Sequence, residues 1–249
     1  MCFSYELKPY FLVKRNKPLL NLVFVEINLP FQPLDIVDIT LLAEKLEKTT
    51  PFNEFTDHIA IWQVKLSDEE TATFFQYRPD FPYLSVRQDF LDSLVSKINE
   101  PFKLVIIGDA GFNCSAELSS PNQTSLIFLN KQQYPQDEIF SRSFLHEFGH
   151  SLGLRDEGEY SHKSEAGPPN CAQTKEDAVS WWGGLVGKEK GVNYFGGCCG
   201  SRNYIRPTVQ SVMNDFKKSG DYGVVNVRYL REALEGYSKN RFISEGIEE

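Results

Sequence analysis

Between Ser143 and Tyr160 the chain reads SFLHEFGHSLGLRDEGEY, and His146, Glu147 and His150 form an H-E-x-x-H pattern within it. On a helix, residues four apart stand one above the other on the same face. The spacing therefore calls for a helix that aims two imidazoles at one point, with the Glu147 carboxylate beside them. Such a set holds a metal ion and places a base next to water on that ion. Gly153 and Asp156 follow three and six residues beyond His150. Gly153 stands where a helix end favours positive φ, and a turn there brings Asp156 back as an oxygen ligand. Glu157, Glu159 and His162 are further candidates for the third ligand, and Glu176 is the candidate if that ligand comes from a later helix.

The rest of the chain limits what can surround this stretch. At 249 residues, with 41% hydrophobic and 13% aromatic content, it can bury a sizeable core. Net charge is −8 and no block of lysines or arginines stands out, which argues against a nucleic-acid partner. No apolar run reaches the roughly 18 residues of a membrane span. The opening MCFSYELKPYFLVKRNKP does not read as a secretory leader, because its basic residues follow the apolar ones. Either the protein is cytoplasmic or a leader is missing. The five cysteines are no tidy disulfide framework. A Cys171 bridge to Cys198 or Cys199, free thiols, or a structural metal on all three are the alternatives. Asn113 and Asn122 head N-x-S/T triplets, which matter only in a glycosylating secretory route.

Taken in order, residues 1–18 read as an irregular lead-in, and residues 19–249 as a single domain. Within it, residues 19–153 form a sheet-and-helix part and residues 154–249 a second part. Leu19–Leu29, His58–Ser67, Lys103–Gly111 and Ser125–Asn130 are apolar or alternating enough to be strands. Leu34–Lys48, Val86–Asn99 and Asp137–Leu152 carry helical spacing. The last holds the histidines, with Phe140, Phe144 and Phe148 on its dry side and Ser141, Arg142 and Ser143 on its wet side. Asp68–Pro82 has no clear period, and Phe112–Gln123 reads as a loop. The order predicts an α/β (α+β) chain, a mixed twisted sheet with helices packed on it. Ser161–Arg206 is rich in Gly and Cys and largely irregular, with a helix over Lys175–Leu185. A final helix spans Val224–Tyr237.

His146, Glu147, His150, Gly153 and Asp156 together resemble the motif H-E-x-x-H-x-x-G-x-x-H/D of the metzincin zinc metallopeptidases. That family also has a methionine turn beneath the metal, and Met213, in RPTVQSVMND, is the counterpart here. A closer resemblance is to the bacterial IgA-peptidase type, carried by HEFGHSLGLRDE, Trp181-Trp182, Gly196-Gly197 and Tyr204-Ile205-Arg206-Pro207 before Met213. It covers about residues 19–213. Glu157-Gly158-Glu159-Tyr160 and the interposed Ile205 depart from that pattern. The resemblance implies a metzincin-like catalytic domain with one Zn2+ on His146, His150 and Asp156. It also implies Glu147 as general base, a protein or peptide substrate, and a secreted or cell-surface setting. Tyr204 and Arg206 are candidates to steady the oxyanion. The expected activity is a zinc endopeptidase. The alternatives are an idle binding or adhesion module on the same fold and a zinc hydrolase of a non-peptide substrate.

Overall fold

The computed structural model describes residues 5–11, 18, 20–27, 39–76, 85–108, 113–159 and 163–244. Along the chain lie β1 (Glu6–Phe11), β2 (Leu20–Ile27), α1 (Ile39–Glu47), β3 (Ile59–Lys65), α2 (Asp68–Thr73), β4 (Phe75–Gln76), β5 (Ser85–Val86) and α3 (Gln88–Ile98). They are followed by β6 (Phe102–Gly108), β7 (Ser115–Ala116), β8 (Ser125–Asn130) and α4 (Asp137–Ser151). The remainder holds α5 (Lys175–Trp182), β9 (Phe195–Cys198), β10 (Ser201–Arg206), α6 (Val212–Asp215) and α7 (Val224–Ser244).

Six strands form one mixed sheet in the order β1-β3-β2-β6-β8-β7. The four inner strands are parallel, and β1 and β7 close the two edges antiparallel. The inner strands are mostly apolar because both sheet faces are covered. Leu22, Phe24, Val105 and Ile107 face α1, α4 and α7, whereas Val23, Val25, Leu104 and Ile106 face Phe90 and Leu94 of α3. The fold is thus the mixed α/β, α+β arrangement that the order of elements predicts.

Helix α4 lies on the first face. Phe140, Phe144 and Phe148 recur every four residues and are fully buried. Phe144 meets Phe24 at 6.0 Å and Phe148 meets Phe52 at 5.1 Å between ring centroids. The expected wet side needs correction. Ser141 and Ser143 are buried, and their hydroxyls donate back to the carbonyls of Glu138 and Phe140. That local bond satisfies a hydroxyl within the helix and lets serine sit in a core. Arg142 alone of the three reaches the surface ion pairs, donating to Glu138.

Other differences are local. Glu6–Phe11, read as irregular, pairs with β3 as an edge strand; its alternation is obscured by Pro9. Helix α2 was hidden in a stretch without period, and a capping box between Ser67 and Glu70 starts it. The short β7 lies inside the expected loop, and the β9–β10 hairpin lies inside the expected irregular region. The first turn expected of the helix from Leu34 lies outside the described residues. No helix among the described residues is long and apolar enough to cross a membrane.

Candidate metal centre

The two histidines sit on the last turns of α4, and a glycine decides how the chain leaves it. Gly153 has φ +101°. Its amide donates to the His150 carbonyl at 3.0 Å, and the Leu154 amide donates to the Gly149 carbonyl at 3.0 Å. This pair of bonds is the Schellman termination, which needs a residue of positive φ at the turn. A β-carbon on Gly153 would also lie 2.6 Å from the Tyr229 hydroxyl. The turn folds the following segment back over the helix end, and Asp156 returns to the histidines as the spacing predicts.

Nε2 of His146 and Nε2 of His150 are 3.2 Å apart. Asp156 Oδ1 lies 3.3 Å from the first and 3.6 Å from the second. The three donor atoms all fall within 4.8 Å of one another, and they are the metal-capable cluster among the described residues. Each imidazole is held from behind. His146 Nδ1 donates to the Val212 carbonyl at 2.9 Å, and His150 Nδ1 donates to the Leu154 carbonyl at 2.8 Å. A carbonyl only accepts, so the proton stays on Nδ1 and the Nε2 lone pair is turned into the site. Two such lone pairs and a carboxylate at these distances repel unless a cation lies between them. Two imidazoles and one carboxylate suit zinc and other first-row divalent ions alike.

The charges agree with that picture. Burial alone would lower His146, but Asp156, Glu147 and the Val212 carbonyl outweigh it and raise the ring to about 9. Burial works to raise Asp156 as well, yet the two histidines draw its carboxyl far below the usual range. The raised His146 favours a proton shared toward Asp156 when no cation is bound. Glu147 is almost fully buried. Burial pushes its carboxyl up while both histidines pull it down, leaving it raised. A buried carboxyl raised in this way beside the cluster is a candidate general base.

These groups lie along a cleft of about 990 Å³. The edge strand β7, Cys114, Tyr134, Gly158, Glu159, Arg206 and the segment from Asn214 to Lys218 also line it. Burial pushes the Cys114 thiol to about 11, so it is neutral near pH 7 and poorly suited as a nucleophile or ligand. Phe216 stands 5.4 Å from the His146 ring and meets Tyr134 edge-on at 5.1 Å.

Met213 lies in α6, fully buried beneath α4, close enough that a β-carbon on Gly149 would come 2.6 Å from its sulfur. The other sequence candidates fall elsewhere. Glu157, a possible third ligand, turns away from the cleft and is fully buried. Glu159 lines the cleft without joining the cluster, and Glu176 lies on α5 outside it. Tyr160 and His162 lie outside the described residues. Tyr204 does not reach the cleft; it packs on the buried cysteines, because its strand β10 pairs with β9 there. Arg206 does line the cleft, yet its Nε donates to the Thr208 carbonyl and one terminal nitrogen to those of Glu157 and Gly197. It clamps the Asp156 loop through Nε and one terminal nitrogen while lining the cleft. Cys171 and Cys198 are bridged, which leaves no three-thiolate metal site, and Cys199 is a buried free thiol.

Sequence reasoning missed Tyr134, Phe216 and the two backbone carbonyls behind the histidines. Only the contact of Phe216 and Tyr134 in three dimensions marks them. Gly149 was legible as the fourth residue of HEFGH, but its role required the position of Met213. A scan against protein-family models returned no match, and neither did a search of the curated proteins.

Proposed function

We propose that this protein is a zinc-dependent endopeptidase of the metzincin kind. The convergence of His146, His150 and Asp156 on one point, with Glu147 beside them at the wall of an open cleft, carries the reading. A zinc ion there would supply the charge that acidifies water and polarises a peptide carbonyl. Glu147 takes the water's proton and hands it to the departing amine. His146 and His150, locked at Nδ1, keep their Nε2 atoms directed inward throughout. The substrate is a polypeptide: the cleft is bordered by β7, the outermost strand of the sheet, whose outer edge can receive an extended chain as a further strand. The resemblance of HEFGHSLGLRDE and the Met213 segment to IgA-peptidase-type enzymes supports the same assignment. The Cys171–Cys198 bridge favours an oxidising, extracytoplasmic setting.

Metal analysis of the purified protein, beside cleavage of an unbiased peptide mixture, tests the proposal. One zinc per chain and cleavage abolished by a chelator are expected. Glu147→Gln should retain the metal and lose hydrolysis. Cleavage by that variant at the wild-type rate would remove Glu147 from the chemistry, and a wild type that binds metal yet cleaves no peptide would overturn the endopeptidase reading and favour a binding module.

A further inference from the structure

The residue after the candidate ligand Asp156 is an acid that the chemistry above does not use. In an extended segment successive side chains point to opposite sides. Asp156 faces the cleft, so Glu157 faces the interior, where it is fully buried. Its carboxylate is saturated. Oε1 accepts from Asn170 Nδ2 at 3.0 Å and from Asn226 Nδ2 at 2.8 Å. Oε2 accepts from the hydroxyls of Thr208 at 3.1 Å and Ser211 at 2.5 Å. The backbone of the same residue is also engaged, its amide donating to the Met213 carbonyl at 2.8 Å and its carbonyl accepting from Arg206 at 3.2 Å.

The partners come from three places along the chain, and Asn170 also grips the Arg155 backbone through both of its side-chain atoms. Asn170 immediately precedes the bridged Cys171, and Asn226 belongs to α7. Thr208 and Ser211 belong to the segment leading into α6. Ser211 has a second duty there, its Oγ capping the amide of Asn214 at the start of the turn that holds Met213. One buried carboxylate thus joins the ligand-bearing loop to the element beneath the histidines and to the helix behind it. Burying a carboxylate is costly, and apolar residues of similar volume often stabilise a core at least as well. A core-filling role therefore gives no reason for it.

We infer that Glu157 is a positioning residue: through its four side-chain hydrogen bonds it sets where Asp156 stands relative to His146 and His150, and so governs how the centre holds metal, without touching metal or substrate. The inference rests on the metal-centre reading. Its test compares wild type with Glu157→Ala, Glu157→Gln and Thr208→Val. Zinc affinity is measured against a chromophoric chelator, the visible spectrum is recorded with cobalt(II) in place of zinc, and each protein is melted in EDTA. The Ala variant should bind zinc roughly 10- to 100-fold more weakly, with shifted cobalt bands. Thr208→Val should show a smaller loss in the same direction. The Gln variant should stay within a few-fold of wild type, because its oxygen can accept from both asparagines while its amide donates to hydroxyls that rotate to receive it. Cobalt bands at the wild-type position in every folded variant, with only the metal-free melting temperature lowered, would overturn the inference. So would equal losses in the Gln and Ala variants. Should the Ala variant not fold, the cobalt spectrum of Thr208→Val decides the matter. A wild type that binds neither metal overturns the underlying reading instead, and shows this before any variant is made.

Discussion

A single methyl group at Gly149 sets two effects of opposite sign against each other. Gly149 lies inside α4, where alanine is favoured over glycine by about 1 kcal/mol in helix propensity. Packing opposes this. The new β-carbon would stand 2.6 Å from Met213 Sδ, 3.0 Å from Tyr222 Cε1 and 3.3 Å from Leu154 Cδ1. Methionine is flexible, but Met213 and Tyr222 are both fully buried, and the Tyr222 hydroxyl is tied to the Leu145 carbonyl. Overpacking of this kind costs about 1–3 kcal/mol, and a 2.6 Å approach belongs at the upper end. The net expectation for Gly149→Ala is a loss of about 2 kcal/mol, or about 4–8 °C in melting temperature for a chain of this size. Urea unfolding of the metal-free proteins measures it. Met213→Ala alone should cost about 2–5 kcal/mol. In the double variant the new methyl occupies vacated space, so the two losses should fall short of their sum by about 1–3 kcal/mol. A Gly149→Ala protein more stable than wild type, or strict additivity in the double variant, would refute the packing of Met213 on this glycine.

Other outcomes follow from the same structure. His146 is raised from 6.5 to about 9, so its contribution to metal-free stability is present below pH 6.5 and is lost as pH rises through about 9. Melting temperature in EDTA should fall across that window while zinc affinity climbs as the proton leaves; a flat profile in both contradicts the shared-proton picture. The Cys171–Cys198 bridge closes a separation of 27 residues, and replacing both cysteines with serine should cost about 3–4 kcal/mol by loop entropy. Unchanged stability on calorimetry would mean the bridge does not form in solution. Lys103 is fully buried, with Nζ donating to the carbonyls of Ser120 at 2.7 Å and Gln123 at 2.6 Å. Lys103→Met strands both acceptors and should cost about 1–3 kcal/mol in urea unfolding; a stabilised variant would show that the loop repacks freely.

The parts of the molecule legible in the sequence were those whose partners lie nearby in the chain or whose pattern is continuous. The parallel strands are readable because burial on both faces makes Leu20–Ile27 and Phe102–Gly108 apolar at almost every position. The return of Asp156 is readable because one glycine sets the turn. What escaped depends on partners far along the chain. Ser141 and Ser143 look polar, and only the packing over them shows that they are buried. Tyr204 sits near Met213 in sequence, but the β9–β10 hairpin sends it to the cysteines, whereas Arg206 stays at the cleft with bonds to backbone carbonyls that its sequence position does not reveal. Glu157 reads as a spare ligand until Asn170, Thr208, Ser211 and Asn226 are seen around it.

Both candidate ligand histidines are steadied by main-chain oxygens, those of Leu154 and Val212. A carboxylate in that place could be lost to one codon change, whereas a carbonyl is present whatever residue occupies the position. The aim of the two rings is therefore insulated from point substitution at the atoms that hold them, provided the turn at Gly153 and the start of α6 keep their shape. The nearby cleft walls, at Val209, Gln210 and Lys217, carry no such duty. Drift in those side chains can retune what the cleft accepts while the histidines keep their aim, which separates the rate of change of specificity from that of the centre itself.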